Sequence, residues 1–130
     1  MKQLERTEIN MTKPLALVIE DDPEISNVIS LSLMNDFEIE LIRTGDKALS
    51  RLAQIVPLLI ILDLHLPGVS GLDIFSKIRA TSNFDNTKVI LCTADALQAI
   101  SLRDKADVIM LKPIKPSALR DLAIHLVNAH

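Results

Sequence analysis

The sequence predicts an α/β protein, a doubly wound parallel sheet with helices on both faces, and three observations carry that prediction. Four strand-length runs, LALVI, LLIIL, KVILC and VIML, are apolar at successive positions rather than alternating, the pattern of strands covered on both sides. Segments of helical period lie between them, so strand and helix alternate, which forces parallel pairing through right-handed crossovers. With 130 residues, 48% of them hydrophobic and 24% charged, the chain has the size and composition of one soluble domain that needs neither disulfides nor a structural metal.

The first strand is Leu15 to Ile19. A helix over Pro23 to Met34 follows, with Ile25, Val28, Ile29 and Leu33 on one side and proline in its first turn. A weaker strand, Glu38 to Ile42, leads to a helix over Asp46 to Gln54. The third strand, Leu58 to Leu62, is followed by a helix over Gly71 to Ala80. Then come a strand at Lys88 to Cys92, a helix over Asp95 to Lys105, a strand at Val108 to Leu111 and a last helix over Pro116 to Asn128. Five such units give a flavodoxin-like (βα)5 sandwich with strand order 2-1-3-4-5. Residues 1–12 read as a polar N-terminal tail and residues 13–130 as the folded domain.

Composition excludes several classes of function. The longest apolar stretch, Val56 to Leu62, contains a proline and falls far short of the ~20 residues that span a bilayer. The first residues carry both signs of charge and lack the apolar core of a signal peptide, so a cytoplasmic protein with no membrane contact is expected. A net charge of −3, no basic cluster and no Trp or Tyr argue against direct nucleic-acid binding. The single cysteine, Cys92, sits in an apolar run and reads as a buried, inert thiol.

Every strand but the second carries at its carboxyl end a polar residue its apolar run does not require. These are Glu20, Asp21 and Asp22 after the first, Asp63 after the third, Thr93 after the fourth and Lys112 after the fifth. In an open parallel sheet ligands bind outside these ends, where the strand order reverses, here between the first and third strands. Asp21 and Asp63 therefore face each other. Carboxylates gathered in one pocket repel unless a cation lies among them, and Mg²⁺, bound by hard oxygens at ~2.0–2.1 Å, suits such a site. Lys112 adds an ammonium and Thr93 a hydroxyl, so the set matches what stabilises a phosphoryl group on an attacking carboxylate. Each piece alone has a plainer explanation: the acids as a helix N-terminus, Asp63 as the start of a loop, Thr93 as an N-cap, Lys112 as a solvated lysine. Their convergence on one sheet edge favours phosphorylation.

Taken together, VIEDDPEI, LLIILDLHLPGVSG, VILCTA and VIMLKP, in that order from about Leu15 to Asn128, resemble the receiver domain of two-component response regulators. The resemblance implies Asp63 as phosphoacceptor, Asp21 as a direct metal ligand and Glu20 as an acid acting through metal-bound water. It further implies Thr93 as the switch hydroxyl, Lys112 as the phosphoryl-pairing lysine, and the backbone carbonyl of His65 as a metal ligand. Asp22 is a doubtful ligand, and the Lys112–Pro113 bond is expected to be cis. A histidine kinase or histidine phosphotransfer protein would supply the phosphoryl group, and an effector protein, not identifiable from the sequence, would read the switch. The chain ends with its fifth helix, so a stand-alone regulator with no enzymatic activity beyond slow self-dephosphorylation is expected.

The side chains of His65 and Asp95 are expected near the line of attack of water on an acyl phosphate; neither His125 nor His130 lies close enough to complete a transition-metal site with His65. Departures from the pattern fall on the output side. Ile109 stands where the family usually has an aromatic. The stretch from Thr93 to Lys112 is short by about one helical turn, with Lys105 in the place of a customary glycine, so the fourth helix is expected to be shortened. Two other functions compete. A phosphatase of the haloacid dehalogenase type wants an acid two residues after its nucleophile, where this chain has His65; a receiver-like module that binds partners without being phosphorylated would leave Asp63, Thr93 and Lys112 without purpose.

Overall fold

A computed structural model describes residues 13–129, so the tail expected at residues 1–12 and His130 lie outside the described residues. Five strands, β1 (Leu15–Ile19), β2 (Glu38–Ile42), β3 (Leu59–Asp63), β4 (Lys88–Thr93) and β5 (Val108–Leu111), form one sheet in the order β2-β1-β3-β4-β5, every pair parallel. The helices are α1 (Pro23–Leu33), α2 (Gly45–Leu52), α3 (Gly71–Ala80), α4 (Ala96–Leu102) and α5 (Pro116–Asn128). This is the doubly wound arrangement the alternation predicts.

The unbroken apolar runs have a direct structural cause. Successive residues of a strand point to opposite faces. In β1, Leu17 and Ile19 enter the cluster containing Ala48 and Leu52 of α2 and Ile74 and Ile78 of α3. Ala16 and Val18 enter the other, with Ile29 and Leu33 of α1 and Leu119 and Ala123 of α5. Both faces are covered, so no position in the central strands can be polar until the strand reaches the sheet edge.

The boundaries differ where backbone pairing outlasts hydrophobicity. Asp63 pairs with Cys92 and Thr93 with Leu111, so both polar residues are the last members of their strands rather than the first of loops. Leu58 precedes β3 instead of opening it. The helix expected over Asp95 to Lys105 is only seven residues long: Asp95 is its extended N-cap, and it ends at Leu102, where Lys105 N–H and Ala106 N–H bond back to the Leu102 carbonyl. The shortening anticipated from the sequence is therefore present, and goes further than the expected span allowed. A 3₁₀ turn at Ser82–Phe84, unmarked in the sequence reading, carries α3 toward β4. Thr44 and Ser70 cap α2 and α3 through their hydroxyls.

Two glycines bring α3 up to the sheet edge. Gly68 holds φ at +77°, the left-handed conformation that side chains disfavour. At Gly71 an added Cβ would run into the carbonyl oxygen of Asp63, so only glycine lets the helix start against the end of β3.

Candidate functional site

β1, β3, β4 and β5 deliver their end residues to one edge. Glu20 directly follows β1, its N–H bonded to the Ile42 carbonyl at 2.9 Å, and Lys112 directly follows β5, its N–H bonded to the Thr93 carbonyl at 2.9 Å. The Lys112–Pro113 peptide is cis, as expected. Glu20 and Asp63 are each 2% exposed and Thr93 is fully buried, whereas Asp21 lies open to solvent. Carboxylate oxygens of Glu20, Asp21 and Asp63 lie within 4.8 Å of one another.

Lys112 supplies the counter-charge. Its Nζ stands 3.1 Å from Glu20 Oε1 and 3.3 Å from Asp63 Oδ1. Burial works against the ammonium, but the Asp63 and Glu20 charges outweigh it and hold the lysine above its ordinary range. Asp63 Oδ1 also accepts the His65 N–H at 3.0 Å, which fixes the carboxylate at the strand end. Glu20 is less well served. Its Oε2 accepts the Asp22 N–H at 3.2 Å, while Oε1 is fully buried without a hydrogen bond. The ammonium beside Oε1 is close enough for charge pairing but not aligned to donate. Burial, reinforced by the neighbouring Asp63, pushes the Glu20 carboxyl up to about 7.

This imbalance is the fit test for a metal ion. Three carboxylates face one ammonium, and a buried carboxylate oxygen has no donor. Oxygen-only donors, two buried and one exposed, suit a hard divalent cation that keeps part of its water shell. The residues present fit Mg²⁺.

Asp22, next to Asp21, caps α1, its Oδ1 accepting the Glu24 and Ile25 N–H groups. Asp95 caps α4, its carboxylate accepting the Leu97 and Gln98 N–H groups at 3.0 and 3.2 Å. The imidazole of His65 is exposed, with Nε2 at 3.5 Å from Thr93 Oγ1, while its backbone contact at the site is the amide on Asp63. His125 lies in the last turn of α5. Cys92 is buried under the site and its thiol is pushed up to about 12, chiefly by burial, so it is inert. Ile109 is half-buried against the α2/α3 core cluster.

One residue at the site escaped the sequence reading. Gln98 accepts a hydrogen bond from the Thr93 hydroxyl at 2.8 Å, and the same hydroxyl accepts the Asp95 N–H at 3.0 Å. The signal was present: Asp95 and Gln98 stand at the spacing of a helix-capping pair.

An open, doubly wound parallel sheet with acids, an ammonium and a hydroxyl outside the carboxyl ends of its strands defines the flavodoxin-like class of α/β protein. Within that class, the family model described as "Response regulator receiver domain" matches residues 16–124, and the chain belongs to that family. It is 32% identical over 104 residues to the DNA-binding response regulator MtrA of Mycolicibacterium smegmatis, covering 79% of this chain and 46% of that protein. The chain thus spans about half the length of that relative. The beryllofluoride-activated receiver domain of DrrB from Thermotoga maritima superposes with a TM-score of 0.80 at 25% identity, covering 91% of this chain and 100% of that one. The receiver domain of the sensor histidine kinase PA1611 from Pseudomonas aeruginosa, described with a magnesium ion in its active-site cleft, superposes at 0.81 with 24% identity, again over 91% and 100% of the two chains. Among the described residues no helix is long and apolar enough to cross a membrane.

Proposed function

We propose that residues 13–130 form a phosphoacceptor switch in a phosphorelay, with Asp63 taking a phosphoryl group from a histidine kinase or histidine phosphotransfer protein. The observation that carries this reading is the crowding of Glu20, Asp21 and Asp63 oxygens within 4.8 Å against the single Lys112 ammonium. That arrangement costs stability without a cation and a phosphoryl group to use it. Asp63 is anchored through Oδ1 by His65 N–H and Lys112, which leaves Oδ2 to attack. The new P–O bond forms as the donor's P–N bond breaks, and the departing imidazole nitrogen keeps the electron pair and takes up a proton. Lys112 then pairs with the phosphoryl oxygens, and the Thr93 hydroxyl donates to one of them.

Asp21 and Asp63 would hold Mg²⁺ directly, Glu20 through a bound water and His65 through its backbone carbonyl. Bound there, the ion supplies charge neutralisation of the acidic pocket and of the phosphoryl oxygens. The chain's own part is to position and to stabilise, so it acts as a phosphoacceptor with at most slow self-dephosphorylation rather than as an enzyme. Its output is a changed affinity for an effector protein, in a cytoplasmic setting. The DNA binding in the name of MtrA is that protein's. With a net charge of −3, the present span is assigned no direct nucleic-acid contact.

Incubation with acetyl phosphate tests the reading. The wild type should gain the mass of one phosphoryl group only with Mg²⁺ present, and lose it to hydroxylamine as an acyl phosphate does; Asp63→Asn should gain none. A phosphoryl group that survives hydroxylamine, or one taken up equally by Asp63→Asn, would overturn it.

A further inference from the structure

The environment of the Thr93 hydroxyl shows how the phosphoacceptor site is joined to α4. We propose that Gln98 is a positioning residue. In the unphosphorylated protein its side-chain carbonyl takes the one hydrogen of the Thr93 hydroxyl, and surrendering that hydrogen to a phosphoryl group on Asp63 loosens the start of α4. The inference rests on the phosphoacceptor reading above.

A hydroxyl has one hydrogen to donate and two lone pairs to accept with. At Thr93 the hydrogen goes to Gln98 Oε1 at 2.8 Å and a lone pair receives the Asp95 N–H at 3.0 Å. Thr93 is fully buried, so water cannot share these roles. The His65 ring nitrogen, at 3.5 Å, is too distant to compete. While Gln98 holds the hydrogen, none is available for a phosphoryl oxygen. The two acceptors compete for the same atom.

The geometry also shows what the competition disturbs. In an ordinary capping box the side chain of the third helical residue reaches back to the N–H of the cap residue. Here Gln98 is that third residue and Asp95 the cap, but the Thr93 hydroxyl stands between them, accepting from one and donating to the other. The box closes only through the switch residue. α4 has seven residues, too few to be stable from its own hydrogen bonds, so its termini decide its order. It also carries Leu97 and Ile100 at 78% and 57% exposure. Rotating the Thr93 hydroxyl toward Asp63 strands the Gln98 carbonyl and weakens the first turn that presents them. With Ile109 half-buried against the core and no aromatic in its place, this hydrogen-bond exchange supplies the link from site to surface.

The test titrates beryllofluoride, a phosphoryl mimic, with Mg²⁺ into wild type, Gln98→Met and Gln98→Glu, followed by backbone amide NMR. Met keeps the side-chain volume but accepts no such bond; Glu remains an acceptor. Removing one competing hydrogen bond should lower the half-saturating concentration about fivefold in Gln98→Met, while Gln98→Glu should bind no more tightly than wild type. Without beryllofluoride, amide hydrogen exchange over residues 95–99 should be faster in Gln98→Met than in wild type, a readout independent of phosphoacceptor chemistry. Equal half-saturation in a wild type that responds, or unchanged exchange, would overturn the role of Gln98 alone. A wild type that does not respond at all would overturn the phosphoacceptor reading, and this proposal with it.

Discussion

Glu20 gives the metal-free protein a stability that falls as pH rises. Its carboxyl is pushed from an ordinary 4.5 to about 7, by burial first and by Asp63 second. Below about pH 4.5 both the folded and the unfolded chain carry the proton, and the folded state keeps its full advantage. Between the two values the unfolded chain releases the proton while the folded chain retains it, so stability is lost; above about 7 the loss is complete. At about 1.4 kcal/mol per pH unit the difference amounts to about 3 kcal/mol, a figure in which the offsetting Lys112 charge is already included. Urea denaturation of wild type and Glu20→Gln in chelator, between about pH 4.5 and about pH 7.5, reads the effect as the difference between two curves. The variant should match the wild type at the acidic end and exceed it by about 2–3 kcal/mol at the basic end, and Mg²⁺ should raise the wild type most where Glu20 is ionised. Parallel curves would refute the claim that burial beside Asp63 leaves the Glu20 carboxylate only partly compensated by Lys112.

Other perturbations have defined outcomes. Lys112→Met leaves Glu20 and Asp63 without their ammonium, and should cost about 1–3 kcal/mol in chelator by urea titration, part of it restored by Mg²⁺, with phosphoryl uptake from acetyl phosphate abolished. Gly71→Ala drives a methyl group into the Asp63 carbonyl and should lower stability by about 1–3 kcal/mol, read as a fall in thermal midpoint by circular dichroism. Cys92, buried with a thiol pushed up to about 12, should resist iodoacetamide in the native protein and react only in denaturant; rapid native labelling would contradict its burial.

Much of this molecule is legible in its sequence for one physical reason. Central strands covered on both faces must be apolar throughout, so the first polar residue after each run marks the sheet edge. Asp63, Thr93 and Lys112 stand out on that ground alone. The same reasoning misplaces the strand ends, because Asp63 and Thr93 continue the backbone ladder after their side chains have become polar. It also cannot tell an acid that faces the site from one that caps a helix. Glu20 and Asp22 are two residues apart, and only the turn of the backbone sends one inward and the other to the α1 amides. Asp95, expected near the line of attack from its place two residues after Thr93, is also the N-cap of α4. Gln98 was missed because a neutral amide in a short helix carries no charge or apolar pattern to mark it. Likewise, Arg79 and the Val89 N–H both donate to Asp107 Oδ2, which ties α3 to the start of β4 through residues too far apart in the chain to be paired by spacing.

In the proposed switch Asp63, and no other carboxylate of the cluster, receives the phosphoryl group. Borohydride reduction of the acetyl phosphate-treated protein, followed by peptide mapping, addresses it directly, since an acyl phosphate of aspartate is reduced to homoserine. Homoserine is expected at position 63 alone, and only when Mg²⁺ was present during phosphorylation. Homoserine at position 21, or none anywhere in a folded protein given Mg²⁺ and donor, would contradict it.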